Sequence, residues 1–165
     1  RTTLDETYLA SATKLAHNAI EQYYNNGQWK CSRGEFETHA DVYDSSYPSA
    51  MAVMLNVLHS LSSLVDIVYK KFVFKTLELH SYDLMRQPIS SPLMSAMVVR
   101  YLKDDMIIKA TEEQLVQNSI RVDDIVYPFT YFKNDTNDGF MICNSSSCFR
   151  HEKEFDAVLK YLNKR

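Results

Sequence analysis

One apolar segment constrains the fold of this chain more than any other feature. Within Ser49–Leu64 the apolar side chains surround most of a helix instead of forming one stripe: Ala50, Met51, Val53, Met54, Leu55, Val57, Leu58 and Leu61. A helix that is apolar nearly all round has to be buried between other elements. Pro48 precedes it and suits the start of a helix. The segment therefore predicts an internal helix with neighbours on several sides.

Three further segments have the periodicity of helices and supply those neighbours. The first begins near Thr3, which forms a capping-box pair with Glu6, and ends at Asn25-Asn26-Gly27. The next runs from about Asp66 to Met85, and the last starts at the N-cap pair Ser91-Pro92 and continues through Leu102. The four helices predict a helical segment over residues 1–103. Periodicity alone leaves open whether they form a bundle or an arc of an α/α toroid.

The pattern changes at Asp104, where runs typical of strands begin to alternate with helical ones. We expect a β-α-β-β-α order in a small unit over residues 104–165, packed on the helical segment. Its predicted elements are a strand at Met106–Lys109, a helix from the capping box Thr111–Gln114 to Ile120, a hairpin of Ile125–Phe132 with Phe140–Cys143, and a helix at Glu152–Asn163. The predicted fold is mainly α.

Charge and composition exclude several classes of function. The net charge of −3 gives no basic patch for nucleic acid, and no apolar run reaches the ~20 residues that span a bilayer. Three cysteines are too few for a disulfide framework, so we expect a reducing, cytoplasmic location. The glycine-rich loops that bind phosphate are missing, and no cofactor is expected. Because the chain begins at Arg1 without methionine, we expect its natural start to lie elsewhere.

A polar, acidic loop at Gly34–Tyr47 precedes the internal helix. Asp41 and Asp44 are the candidate catalytic residues, because glycoside hydrolysis needs one carboxyl group as acid and another as base or nucleophile. The alternative is structural: Asp44 caps the following helix while Asp41 is solvated. Loops of this length inside a compact domain are often functional.

The same region contains the candidate ligand-binding residues Glu37, His39, Tyr47 and Ser49. Free N–H groups at the start of the internal helix favour an anionic or hydroxyl-rich ligand. An aromatic ring at Tyr47 suits the apolar face of a sugar. The alternative is that Tyr47-Pro48 only fixes the angle at which the chain enters the helix.

Two cysteines, Cys143 and Cys148, lie near the end of the chain with four residues between them. They fit a small-loop disulfide, a pair for thiol–disulfide exchange, or two inert thiols, and the inert thiols are the simplest interpretation. His151 extends the pattern toward a zinc site. A structural zinc site needs a fourth ligand that the neighbourhood does not supply, so we predict no metal.

The stretch Asp41–Ala52 resembles a family of thioredoxin-domain-containing proteins related to the spermatogenesis-associated thioredoxin-like protein, in which an Asp-rich loop leads into a toroid helix. The tail is also similar, with the strand Met106–Lys109, Tyr127-Pro128-Phe129, the Cys143–Cys148 element and a closing helix. The resemblance implies an α/α toroid like those of six-hairpin glycosidases and N-acylglucosamine epimerases. Ala50-Met51 stands where the family has Gly-Asn, so any ligand contact of that Asn is lost here.

The resemblance further implies that this chain is the C-terminal part of a larger protein. Its partners would then be a thioredoxin-like domain and further toroid helices of the same parent chain. The expected function is a helical scaffold or binding module with a cleft for a small sugar-like ligand. The alternatives are a carbohydrate-active enzyme using Asp41 and Asp44, and a redox or protein-interaction module using Cys143 and Cys148. We also expect self-association, because four helices leave apolar faces uncovered.

Overall fold

The computed structural model describes residues 5–164, which form two compact units, 5–103 and 104–164. We call the first the helical unit and the second the C-terminal unit. The helical unit contains four α-helices and a two-stranded hairpin: α1 (Glu6–Tyr23), β1 (Tyr24–Asn25), β2 (Gln28–Trp29), α2 (Ala50–Leu64), α3 (Lys70–Arg86) and α4 (Pro92–Lys103). Short 3₁₀ turns at Ile67–Tyr69 and Pro88–Ser90 precede α3 and α4.

Helix α2 is the internal helix that the sequence predicts. It packs against α1, α3 and α4, and Met51, Leu55 and Leu58 are fully buried. Burying each such side chain contributes about 1.5–3 kcal/mol. Ser49 is the N-cap residue, since its side chain accepts a hydrogen bond from the Ala52 N–H at 3.3 Å. The apolar run thus forms the centre of the core of the helical unit.

Helix α1 begins and ends differently from the prediction. Asp5 is its N-cap and accepts a hydrogen bond from the Thr7 N–H at 2.9 Å, whereas the predicted cap Thr3 lies outside the described residues. The helix ends at Tyr23, and the following residues pair as the hairpin β1–β2. Asn26 and Gly27 form its turn with φ of 46° and 96°, as a two-residue hairpin turn of this kind requires.

The hairpin is anchored on α3 by aromatic packing and one buried hydrogen bond. Trp29 is buried, and its indole Nε1–H donates to Thr76 Oγ1 at 3.0 Å. The ring of Tyr24 lies 5.0 Å from the rings of both Trp29 and Phe72. Aromatic pairs in such tilted arrangements contribute about 0.5–1.5 kcal/mol beyond the area they bury. The hairpin therefore fixes the start of the long loop that leads to α2.

A buried arginine joins α2 to α4. Arg100 is 7% exposed, and its guanidinium donates to the Asn56 backbone oxygen at 3.2 Å, to Asn56 Oδ1 at 3.1 Å and to Ser60 Oγ at 2.9 Å. Burying a charge is unfavourable unless hydrogen bonds replace its hydration. These three acceptors provide such replacement between the two helices.

The C-terminal unit is a four-stranded mixed sheet with helices. Its elements are β3 (Met106–Ala110), α5 (Glu112–Gln117), a 3₁₀ segment at Ser119–Asp124, β4 (Thr130–Asn134), β5 (Phe140–Cys143), β6 (Cys148–Glu152) and α6 (Phe155–Leu162). The strand order is β4-β3-β5-β6. β3 pairs with β4 in parallel and with β5 antiparallel, and β5 pairs with β6 antiparallel. Helix α6 packs on β5 and β6.

The predicted hairpin of Ile125–Phe132 with Phe140–Cys143 is wrong, because β3 lies between β4 and β5. The segment after β4 passes the end of β3, where the Asp135 N–H donates to the Ala110 carbonyl oxygen at 2.8 Å. β3 is the more apolar strand, and all its residues except Lys109 are buried. A central position covers both of its edges, which explains why it separates two strands that are neighbours in sequence.

A further strand, β6, was not predicted, so the order is β-α-β-β-β-α. β6 begins at Cys148 and contains the polar residues Arg150, His151 and Glu152, and it is mostly exposed. It forms an edge of the sheet, where charged side chains are common and the alternating pattern is weak. Because β6 continues to Glu152, the final helix begins at Phe155 instead of Glu152.

The fold is thus mostly helical, with a small mixed sheet in its second half. This confirms the coarse prediction of helices followed by a small unit that contains strands. That the four helices form an arc of an α/α toroid stays a prediction. In the part of the chain that the structure describes, no helix is both long and apolar enough to cross a bilayer.

Candidate functional site

The acidic loop between β2 and α2 starts with a small antiparallel turn. Lys30 and His39 face each other across an isolated bridge, and the Cys31 N–H donates to the Thr38 carbonyl oxygen at 2.8 Å. Lys30 Nζ and Glu37 Oε2 form an ion pair at 2.6 Å. The side chain of His39 is exposed. Of the predicted ligand-binding residues, Glu37 is thus paired with a lysine and His39 faces solvent.

Asp44 holds the first turns of two helices together. Its Oδ1 accepts a hydrogen bond from the Ser49 N–H at 2.6 Å, at the start of α2. Its Oδ2 accepts one from the Leu93 N–H at 2.8 Å, in the first turn of α4. The Asp44 N–H in turn donates to the Ser90 carbonyl oxygen at 2.9 Å. A carboxylate at a helix start satisfies N–H groups that lack partners inside the helix and interacts favourably with the helix dipole.

This arrangement replaces the predicted cap of α4. Ser91 is fully buried, and its hydroxyl makes no hydrogen bond within residues 5–164. The Asp44 carboxylate instead satisfies the backbone of α4, across 49 positions of the chain. The capping residue was predicted beside the helix in sequence, whereas the structure supplies it from a distant loop.

Asp41 also bonds with the backbone of the loop. Its Oδ1 accepts from the Tyr43 N–H at 2.9 Å, and its carbonyl oxygen accepts from Ser49 Oγ at 2.7 Å. The side chain of Asp41 is exposed. The contacts of the two aspartates are those of the structural alternative, in which Asp44 caps a helix and Asp41 is solvated. These contacts give no support to a catalytic pair.

The start of α2 offers little for a ligand. Ser49 is buried, and its hydroxyl both donates to the Asp41 carbonyl oxygen and accepts from the Ala52 N–H. Tyr47 is 73% exposed. Ser49 is therefore part of the capping network, and Tyr47 presents its ring to solvent.

A small cavity of about 160 Å³ lies beside this loop. Its walls come from α1, β2, the loop and α2: Ala19, Tyr23, Trp29, Lys30, Ala40, Ala50, Met51 and Met54. None of the predicted site residues lines it, although Glu37 forms an ion pair with the wall residue Lys30. Tyr23 and Trp29 were missed as wall residues. Trp29 is the one tryptophan of the chain, and its position just before the loop could have indicated an aromatic wall there.

A larger apolar groove of about 420 Å³ runs between α3 and α4. Ten residues line it: Phe74, Leu77, Glu78, Ser81, Leu84, Met85, Ser95, Val98, Tyr101 and Leu102. Met85 is 85% exposed, Leu102 76% and Phe74 46%. The spacing in α3 follows the three- and four-residue steps of one helix face. The sequence did not reveal this surface, because apolar residues at three- and four-residue steps occur on buried helix faces as well as on exposed ones.

Cys143 and Cys148 form a disulfide, so their interpretation as inert thiols is wrong. The two residues are partners in the β5–β6 pairing. Cys143 is 1% exposed, whereas Cys148 is exposed. Cys31 is an exposed free thiol. A disulfide is more typical of oxidising compartments, and the cytoplasmic location stays a prediction.

Residues 5–164 contain no cluster of three or more His, Cys, Asp or Glu side chains arranged to hold a metal ion. Comparisons of the chain with protein-family models, with curated proteins and with solved structures give no match. The relationship to thioredoxin-domain proteins therefore stays a prediction from the residues quoted above.

Proposed function

We propose that the helical unit is an interaction module that assembles through the groove between α3 and α4. The observation that supports this function is the apolar groove itself, whose rim presents Met85 and Leu102 largely to solvent. Contiguous exposed apolar surface of this kind marks sites of protein association. In the acidic loop, in contrast, Asp41 and Asp44 accept hydrogen bonds from backbone N–H groups of the loop and of the starts of α2 and α4.

The occupant we propose is a second copy of this chain. Phe74, Met85 and Leu102 line the groove and are partly exposed, and the same two helices also expose Tyr82 and Val99. Aromatic side chains, the largest of these, present about 150–250 Å² each when free, so the five side chains together present at most about 700 Å² at their exposed fractions. A standard interface buries about 800 Å² per partner. Polar side chains at the edge of the interface would supply the remaining area.

A symmetric dimer needs a self-complementary surface, and the groove combines a depression with exposed side chains. In a two-fold interface the same patch contacts itself, so it must contain both projections and depressions. Met85 and Leu102 line the groove of about 420 Å³ and are largely exposed. Each copy would insert these side chains into the groove of the other. Glu78 and the serines at positions 81 and 95 would form the polar edge.

The test is the association state of the chain by analytical ultracentrifugation over a wide range of concentration. We expect a monomer–dimer equilibrium, and Met85→Glu should weaken it at least tenfold because it places a charge in an apolar interface. Ile120→Glu is the matched control, since Ile120 is 89% exposed and belongs to the C-terminal unit. A chain that is monomeric at every concentration, or equal weakening by both substitutions, contradicts the proposal.

A second candidate function is the binding of a small sugar-like ligand in the cavity beside α2. Its support is the combination of the aromatic wall residues Tyr23 and Trp29 with the wall residue Lys30, which forms an ion pair with Glu37. A volume of about 160 Å³ fits one sugar ring. The toroid arrangement and the thioredoxin-domain family enter this proposal through the sequence resemblance alone.

Titration of monosaccharides against the labelled chain, followed by NMR, tests this candidate. We expect shifts at Trp29 and Ala50 that are lost in Lys30→Met. Asp41→Asn should leave them unchanged, because Asp41 does not line the cavity. Shifts that depend on Asp41 and come with turnover of a glycoside would instead support the carbohydrate-active enzyme.

A further inference from the structure

We propose that the Cys143–Cys148 disulfide is a reversible redox couple that exchanges with a protein dithiol. This proposal concerns the C-terminal unit and does not depend on the groove of the helical unit. Three observations support it: the unequal exposure of the two cysteines, a loop between them that is closed by its own hydrogen bonds, and the position of β6 at the edge of the sheet.

The unequal exposure selects the sulfur that an incoming thiolate attacks. Cys148 is exposed on β6, whereas Cys143 is 1% exposed on β5. Exchange proceeds through attack on one sulfur in line with the S–S bond, so access decides which sulfur reacts. A protein thiolate therefore attacks Cys148 Sγ, and Cys143 is the leaving group.

The loop between the cysteines is held closed without the disulfide. Asn144 Oδ1 accepts hydrogen bonds from the Ser146 N–H at 2.9 Å and the Ser147 N–H at 2.8 Å. The Asn144 N–H donates to the Ser147 carbonyl oxygen at 2.8 Å. Ser145 Oγ donates to the Asp104 carboxylate, with both oxygens at 3.0 Å. None of these bonds involves a sulfur atom, so we expect them to remain after reduction and to keep the two thiols near each other.

The pairing of β5 with β6 also keeps the two cysteines close together. Cys143 and Cys148 are opposite one another in the β5–β6 ladder, next to an irregularity at Ile142/Cys143. Met141 pairs with His151 and Phe140 with Glu152 farther along the same ladder. Because β6 is an edge strand, an incoming thiolate can approach Cys148 from the side that has no further strand, while these pairs and the rest of the sheet stay formed. Reduction is thus a local event that re-oxidation reverses.

The partner dithiol supplies the electrons and protons that the exchange requires. One partner thiolate bonds to Cys148 Sγ, the Cys143–Cys148 bond breaks, and Cys143 leaves as a thiolate that takes up a proton. The second partner thiol, as thiolate, then attacks the partner sulfur of the mixed disulfide, and Cys148 leaves as a thiolate and is protonated. The chain gains two electrons and two protons, and the partner dithiol becomes a disulfide.

The experiment traps the mixed disulfide on the full chain in a Cys31→Ser background, which removes the exposed free thiol. The probe is a purified Cys-x-x-Cys protein whose second cysteine is replaced by serine, so that the intermediate cannot resolve. Peptide mass spectrometry locates the bond. We expect the adduct on Cys148 with at least a tenfold preference over Cys143. An adduct mainly on Cys143, or no adduct with the folded chain, overturns the proposal.

A second measurement separates a reversible couple from a structural bond. After reduction with dithiothreitol, we expect amide exchange in β3 and α6 to stay protected and the disulfide to re-form on removal of the reductant. Asn144→Ala should slow re-formation roughly fivefold, which corresponds to the loss of one capping side chain. Loss of protection throughout the C-terminal unit on reduction would show that the disulfide is structural, and would refute the proposal.

Discussion

The acidic loop before α2 and the groove between α3 and α4 use opposite chemistry and differ in what they leave accessible. The loop is rich in carboxylates, yet both Asp41 and Asp44 accept hydrogen bonds from backbone N–H groups. The groove has few polar groups, yet it presents Met85 and Leu102 to solvent. Polar side chains that look reactive in a sequence are here part of the scaffold. The surface that we propose for association consists of apolar residues that look like core in the sequence.

The largest effect is expected from Asp44→Ala. It removes two charge-assisted hydrogen bonds, to the Ser49 and Leu93 N–H groups, and leaves both helix starts unsatisfied. We expect a loss of about 2–4 kcal/mol in the free energy of unfolding. Asp41→Ala should cost less than about 1 kcal/mol, because Asp41 is exposed and only closes a local turn. Urea unfolding measures both, and equal losses would remove the distinction between the two aspartates.

The next effect concerns Gly27, in the turn that precedes the loop. A Cβ there would lie 2.9 Å from the Lys75 carbonyl oxygen, and its φ is +96°. Gly27→Ala combines backbone strain with this clash, so we expect a loss of about 2–3 kcal/mol. Gly34→Ala is the matched control, since Gly34 has a φ of +103° and an added Cβ would have nothing within 4 Å. It should lose only about 1 kcal/mol. Thermal unfolding that ranks the two the other way would contradict the role of α3.

A smaller effect is expected from pH. Burial lowers the pKa of His80 on α3 below its ordinary value, and Asp83 opposes this only in part. The folded chain therefore resists protonation of His80, while the unfolded chain binds the proton at the ordinary pKa of 6.5. Stability is retained above that pH and falls as the pH drops through it toward the folded pKa. His80→Gln should flatten this part of the curve of unfolding free energy against pH. An unchanged curve would show that another group is responsible.

The smallest effect is expected in the groove. Leu102→Ser removes an apolar side chain that is 76% exposed, so unfolding of the monomer at low concentration should change by no more than about 0.5 kcal/mol. Together with the loss from Asp44→Ala, this result would sharpen the contrast between scaffold and surface. A loss above about 2 kcal/mol would place Leu102 in the core and weaken the case for a docking surface.

The sequence predicted the elements whose patterns are local. The internal helix α2 follows from its apolar circumference, and the capping box at Thr111 and Gln114 is present as expected. Strand β3 was predicted at nearly its observed position, because an apolar β-branched run is informative wherever it lies in a sheet. These features depend on neighbours within a few residues.

The sequence did not predict features that depend on distant pairing. The link from Asp44 to Leu93 joins positions that only the folded helices bring together. β6 has no apolar alternation, since an edge strand is largely solvated. The groove could not be predicted from the sequence, because apolar residues have the same three- and four-residue spacing on an exposed face of α3 as on a buried one. The acidic loop was noticed for its residue types, but which atoms accept which N–H groups is a property of the fold.

The central position of β3 has a consequence during synthesis. Both of its partners, β4 and β5, follow it in the chain, so Met106–Ala110 leaves the ribosome before any strand can pair with it. At a synthesis rate of about 5–20 residues per second, the edges of the apolar strand stay unpaired for a few seconds. During that interval its apolar residues Met106-Ile107-Ile108 and its unpaired edges are exposed, which favours aggregation. Translation slowed between Ala110 and Phe140 would lengthen this exposure, so the yield of folded chain should depend on codon usage there.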